Sequence, residues 1–189
     1  ASGRVTATDQ SPDMLQIARE RVEAAGLTNV DFAESDVDAL AFSDAPFDAI
    51  LCRWGLMFVP NLNETLTAIR GWLAPGGRFA TAVWAEPQKV PMVSLAFGVI
   101  PKVLGSPPPP PPPGAPSLFK LAPDGVLASA FGDAGFADVQ TETVNVAFEL
   151  SSPEDYSNFL KDIAPPIIAL TANLSPAKQD AFWSALAEA

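Results

Sequence analysis

From Arg4 to Trp84 the chain alternates short apolar runs with segments whose apolar residues recur at helical spacing, and this rhythm constrains the fold more than any other feature. Arg4 to Asp9 (RVTATD) reads as a short buried strand that ends on an acid. Ser11-Pro12-Asp13 then opens a helix, with Ser as N-cap, Pro at the first helical position and an acid in the first turn. Leu15, Ala18, Val22 and Ala25 follow on one face, and Gly26 supplies the stop. Val30 to Ala33 and Phe47 to Cys52 read as the next strands, the second preceded by the turn-like Ser43-Asp44-Ala45-Pro46. Leu62, Leu66, Ile69 and Leu73 mark a second helix that stops at Pro75-Gly76-Gly77, and Arg78 to Trp84 reads as a fourth strand. Strand, helix, strand, helix in this order predicts an α/β fold built on a mostly parallel sheet with helices on both faces.

After Trp84 the rhythm breaks. Pro87 to Lys120 holds an apolar segment, Met92 to Leu104, and then Ser106 followed by seven consecutive prolines, Pro107 to Pro113. Such a run is extended and is neither helix nor central strand. It reads as a stiff surface connection rather than an SH3-type docking site, which wants flanking basic residues. A helix is predicted near Asp124 to Ala134, ended by Gly135, then a strand from Asp138 to Phe148. Two helical patterns follow, opened by Ser152-Pro153-Glu154 and by Ser175-Pro176. Length and pattern together predict one α/β core over residues 1–150, with residues 87–120 as an insert, and a helical segment over 151–189 belonging to the same domain.

Composition narrows the chemistry. With 48% apolar and 17% charged residues the chain is globular. Its 22 acidic against 11 basic residues give a net charge of -11. Nucleic acid and anionic membrane surfaces are therefore disfavoured as partners, since both are held by clustered Lys and Arg. The single cysteine, Cys52, excludes an internal disulfide and fits a reducing, cytoplasmic compartment. Histidine is absent, which removes His-ligated metal sites and Ser-His-Asp or Cys-His catalysis, and no metal is expected. No apolar stretch reaches the roughly 18 residues of a membrane span. Ala1-Ser2-Gly3-Arg4 has no signal-peptide core and no initiator Met, and it runs straight into a strand, so the start reads as cut.

In open parallel sheets, ligands bind outside the carboxyl ends of the strands, so the residues just after each strand carry the functional information. After the first come Asp9 and Gln10. A carboxylate there can accept both hydroxyls of a ribose, or it can simply help to cap the helix at Ser11. After the second come Asp36 and Val37. An acid paired with the next backbone N–H matches the edge of adenine, and a plain loop acid is the bland alternative. After the third comes Arg53, near the same edge. Met14, in the first turn of the first helix, can lay a flexible thioether along a purine face or serve in the core.

Taken in order, these residues also resemble a known family. Asp9-Gln10-Ser11-Pro12-Asp13-Met14-Leu15 resembles the second motif of class I methyltransferases that use S-adenosylmethionine. Asp36-Val37, Phe47-Asp48-Ala49-Ile50 and Leu73-Ala74-Pro75-Gly76-Gly77-Arg78 resemble the later motifs. Trp54-Gly55-Leu56-Met57-Phe58 and Ala82-Val83-Trp84 look like the branch of the ubiquinone and menaquinone biosynthesis C-methyltransferases. The resemblance implies a Rossmann-like fold and S-adenosylmethionine as cofactor. It implies Asp9 on the ribose hydroxyls with Gln10 beside it, Met14 by the adenine, and Asp36 and Val37 on the adenine edge. Arg53 would lie along the cofactor's methionine part. Two departures stand out: the family's first strand and Gly-x-Gly loop precede the second-motif acid by about twenty residues, whereas eight residues precede Asp9, and the family's last strand is not seen. The chain is therefore expected to be an inactive fragment lacking a central strand.

Methyl transfer to a small, apolar molecule is the leading expectation, since it needs alignment and a dry pocket more than a strong acid or base. No catalytic residue is assigned. Met92 to Leu104 and Ile163 to Leu174 could roof an apolar substrate, against ordinary helix packing. The competing enzyme reading is a nicotinamide-dependent oxidoreductase, which also reads ribose with a post-strand acid. Its Tyr-x-x-x-Lys pair fails here, because the only tyrosine, Tyr156, is followed by Leu160 four residues on and Lys161 five on. The non-enzyme alternative is a fragment that binds nothing. Oligomeric state leaves no trace in the sequence.

Overall fold

The computed structural model describes residues 3–36, 39–42, 45–105, 117–172 and 174–189. Val37, the turn residues Ser43 and Asp44, and the proline run Pro107–Pro113 lie outside the described residues. The chain divides into two compact units, residues 1–82 with 128–139 and residues 83–127 with 140–189.

The first unit opens with β1 (Val5–Asp9), α1 (Pro12–Ala24) and β2 (Val30–Glu34). The Ser11 hydroxyl accepts the Met14 N–H at 3.3 Å and its carbonyl accepts the Leu15 N–H at 3.1 Å, so the predicted N-cap works as expected. Gly26, at φ 65, ends the helix in the left-handed region where glycine is the least strained residue. Leu15 is buried at 6% exposure, and the Arg19 guanidinium lies 4.4 Å from the centre of the Phe32 ring, which ties α1 to β2.

The same unit continues with β3 (Phe47–Arg53), α2 (Leu62–Trp72) and β4 (Leu73–Ala82). The Pro75-Gly76-Gly77 turn, predicted to precede the fourth strand, lies inside it, as an irregularity where Phe47 faces Leu73 and Ala49 faces Arg78. Gly77 is fixed by contact: a Cβ there would stand 2.9 Å from the Ala74 carbonyl oxygen and 3.0 Å from that of Phe47. Phe42 packs edge-on against both Phe47 and Trp72 at 5.0 Å, closing one end of this region.

The strands pair in parallel as predicted, and they do so as two separate two-stranded sheets, β1–β2 and β3–β4. Not one residue of the four strands is fully buried, although parallel sheets are ordinarily covered on both faces. The β3–β4 pair is one-sided. Phe79 stacks on Phe131 of α4 (Val126–Asp133) at 5.3 Å and approaches Phe136 at 6.0 Å. On the opposite side Leu51 is 81% exposed, and Ala49, Ala80 and Ala82 are exposed with it.

The second unit is helical: α3 (Pro91–Leu104), α5 (Pro153–Ile163), α6 (Pro165–Ala172) and α7 (Pro176–Glu188). All four, like α1, begin on proline, whose missing N–H costs nothing in a first turn. Ala96, Val99, Ile100, Leu160, Ile167, Phe182 and Leu186 form its core. The Tyr156 hydroxyl donates to the Met92 carbonyl at 2.7 Å and pins α5 to α3. The Ser152 hydroxyl accepts the Asp155 N–H at 3.1 Å, so the cap read from Ser152-Pro153-Glu154 is formed. The predicted strand from Asp138 to Phe148 is a correction: these residues are all exposed and join no ladder among the described residues. Their alternating pattern is real, but a strand exists only against a partner edge. Among the described residues no helix is long and apolar enough to cross a membrane.

Candidate functional site

The carboxyl edge of the β1–β2 pair gathers Asp9, Gln10, Met14 and Asp36. Asp9 ends β1 opposite Glu34, and the Ser35 N–H donates to the Asp9 carbonyl at 3.1 Å, so the pairing carries one residue past β2. Asp36 follows immediately and is exposed. Its carbonyl accepts the Ser35 hydroxyl at 3.0 Å and the Ala39 N–H at 3.0 Å, which folds the chain back at this edge.

Asp9 is half-buried, and one carboxylate oxygen accepts the Ser11 N–H at 2.9 Å. The capping role weighed from the sequence is therefore present. It is compatible with a second role, because an ionised carboxylate offers about four lone-pair sites and one N–H occupies one of them. Gln10 is exposed beside it. Met14 is 56% exposed, so it is a surface thioether on the first turn of α1 and not a core residue; Leu15 takes the core position instead. The first turn of α1 also brings its N-terminal N–H groups to this edge, where an electron-rich ligand is favoured.

Arg53 ends the other pair, β3, opposite Ala82 of β4. Among the described residues no ladder joins the two pairs, so Arg53 and the acids stand on separate sheets within one unit. Cys52 is fixed from below, its carbonyl accepting the Thr81 hydroxyl at 2.8 Å. Beyond Arg53 the chain does something the sequence reading missed. Trp54 has φ 56, a left-handed backbone that costs a bulky residue roughly 1–3 kcal/mol. Its N–H still donates to the Ala82 carbonyl at 2.9 Å, and the Arg53 guanidinium lies 5.0 Å from the centre of its ring. Gly55 follows so closely over Cys52 that a Cβ there would stand 2.8 Å from the thiol sulfur. The one-turn helix Leu56–Phe58 then buries Leu56 and Met57 at 0% and 1% exposure. A bulky residue wedged between a strand end and a close-packed glycine was the available signal.

The residues weighed for dehydrogenase chemistry are occupied otherwise. The Tyr156 hydroxyl is on the Met92 carbonyl, and the Lys161 ammonium lies 5.0 Å from the Trp183 ring. Burial raises the Tyr156 phenol above its ordinary pKa, which makes it a poorer proton donor near neutrality.

Residues 1–77 match the methyltransferase domain family. The chain is 31% identical over 148 residues to the ubiquinone/menaquinone biosynthesis C-methyltransferase of Bradyrhizobium diazoefficiens, covering 74% of this chain and 58% of that protein. It is 39% identical over 90 residues to the enzyme of the same name from Brucella anthropi, covering 46% of this chain and 34% of that protein. The chain thus spans little more than half the length of the curated relatives it matches, or less. The solved structure of the YcgJ protein from Bacillus subtilis superposes with a TM-score of 0.56 at 17% identity, covering 95% of this chain and 72% of that one, so the fold is Rossmann-like.

Proposed function

We propose that this chain is a class I S-adenosylmethionine-dependent methyltransferase serving methyl transfer to a small, apolar acceptor, a reading supported by the methyltransferase-domain match over residues 1–77 and by the C-methyltransferase relatives. The observation that carries the reading is the meeting of Asp9 and Asp36 at one carboxyl edge, from which α1 starts. When bound, S-adenosylmethionine supplies an electrophilic methyl on a sulfonium, and the protein's task is alignment and exclusion of water.

In this reading the Asp9 carboxylate keeps the Ser11 N–H on one oxygen and accepts ribose hydroxyls with its remaining lone pairs, while Gln10 lines the same edge. The Asp36 carboxylate accepts the exocyclic amine of adenine. Val37 takes its role, a backbone N–H to the ring nitrogen, from the motif alone. Met14 lays its thioether on the purine, and Arg53 holds the methionine end. A free carboxylate on a guanidinium is a charge-assisted pair and so a strong one. The apolar acceptor is supported by the relatives' printed name and by the apolar composition of α3 and α6.

We further propose that residues 1–189 by themselves do not catalyse the reaction. Two parallel pairs without a buried strand residue leave the methyl-transfer edge unsupported between Asp9 and Arg53. Unpaired strand edges and uncovered apolar strand residues contribute little to a domain whose total stability is about 5–15 kcal/mol.

Calorimetric titration of the full natural polypeptide with S-adenosylmethionine tests the first proposal, and the same titration on residues 1–189 tests the second. Asp9→Ala is expected to weaken binding in the full polypeptide by about 1.5–3 kcal/mol, with no saturable binding of nicotinamide cofactors. A parent that binds a nicotinamide cofactor and not S-adenosylmethionine overturns the reading. Micromolar binding and turnover by residues 1–189 overturn the second proposal only.

A further inference from the structure

The backbone at Trp54 has a cost, since glycine or asparagine would make the same left-handed turn with less strain. What the turn achieves is local. The strand alternation carries Arg53 to the end of β3, the Trp54 N–H closes the ladder on Ala82, and the left-handed turn brings the indole beneath the Arg53 guanidinium at 5.0 Å. A Cβ on Gly55 would stand 2.8 Å from the Cys52 sulfur, and Leu56 and Met57 are buried just beyond it, so close packing follows the turn on its C-terminal side.

We infer that Trp54 is a positioning residue for Arg53: the ring orients the guanidinium toward a carboxylate at the carboxyl edge of β3. The inference rests on the methyltransferase reading, in which that carboxylate is the one on the amino-acid end of the cofactor. A long arginine on an open strand end samples many rotamers, and each must be given up when it binds. An aromatic face beneath it removes part of that loss in advance and leaves the edge of the guanidinium, with its fork of donors, for a planar carboxylate. The tryptophan thus acts through the arginine and touches no reacting atom.

The experiment compares two ligands on three forms of the full natural polypeptide: the parent, Trp54→Asn, which accepts the left-handed turn without a ring, and Trp54→Phe, which keeps a smaller ring. The ligands are S-adenosylmethionine and 5′-methylthioadenosine, which has the adenosine and the sulfur but no amino-acid end. Trp54→Asn is expected to weaken S-adenosylmethionine about three- to tenfold and to leave methylthioadenosine within about a factor of two, with Trp54→Phe between parent and Asn. An equal loss for both ligands marks a merely structural role and overturns the inference, as does no loss for either. A parent that fails to bind S-adenosylmethionine at all sinks the methyltransferase reading first, and this inference with it.

Discussion

In the helical unit Ala96, Val99, Phe182 and Leu186 stand at 2% exposure or less, while in the strands of the other unit Leu51 stands at 81% and Val5 at 51%. Both units are cut from similarly apolar sequence. The difference lies in how each element satisfies its backbone. A helix closes its hydrogen bonds within one segment, so α3, α5, α6 and α7 need only bring their apolar stripes together. A strand depends on its neighbours, and a parallel neighbour is reached only through a long crossover. The strands of the first unit therefore stay open to solvent, while the helices of the second close a core.

The sharpest way to break this comparison is Phe182→Ala. Truncating the largest side chain of the helical core is expected to cost about 3–5 kcal/mol in urea unfolding followed by circular dichroism. A loss under about 1 kcal/mol would mean that the second unit is no better closed than the first. Tyr156→Phe removes the hydrogen bond to Met92 and is expected to cost about 0.5–1.5 kcal/mol at neutral pH. It carries a pH signature as well. Burial raises the folded pKa of this phenol, so its contribution is whole below the ordinary tyrosine value of about 10 and is lost as pH rises through the higher folded value. The alkaline fall in unfolding midpoint should be steeper in the parent than in Tyr156→Phe, and identical slopes would contradict a buried phenol. The smallest effect belongs to the open sheet: Leu51→Thr should change stability by less than about 0.5 kcal/mol. In the same molecule, amide exchange in β1 and β3 should outpace that in α5 and α7. A Leu51→Thr loss of several kcal/mol would show that its face is covered in solution.

Much of this was legible in the residues, and the failures share one cause. Ser11-Pro12-Asp13 and Gly26 bound α1 closely because a cap is a local bargain between neighbours. Asp9 and Asp36 were placed at one sheet edge from the rhythm of strands alone, as they are found. What could not be read was anything that depends on a distant partner. Asp138 to Phe148 alternates like a strand and joins no ladder among the described residues. The boundary of β4 moved to Leu73 because Phe47, not the glycines, decides where pairing starts. Helix α6 was read only as an apolar segment, since its composition has no polar face to betray a period. Within the site, the left-handed turn at Trp54 is not legible in the sequence because no propensity favours it; it goes with the bond from the Trp54 N–H to the Ala82 carbonyl and the close approach of Gly55 to Cys52.

The packing of Gly55 over Cys52 has a practical consequence. The chain has one thiol, and it sits half-buried at the end of β3, where a Cβ on Gly55 would stand 2.8 Å from the sulfur. That sulfur lies beside the segment that runs from Arg53 to Phe58. Labelling kinetics with an alkylating reagent on the unmodified protein therefore report the surroundings of this one position, with every other sulfur in the chain a thioether that the reagent ignores at neutral pH. A ligand seated against Arg53 would slow that clock without any dye, tag or mutation having been introduced.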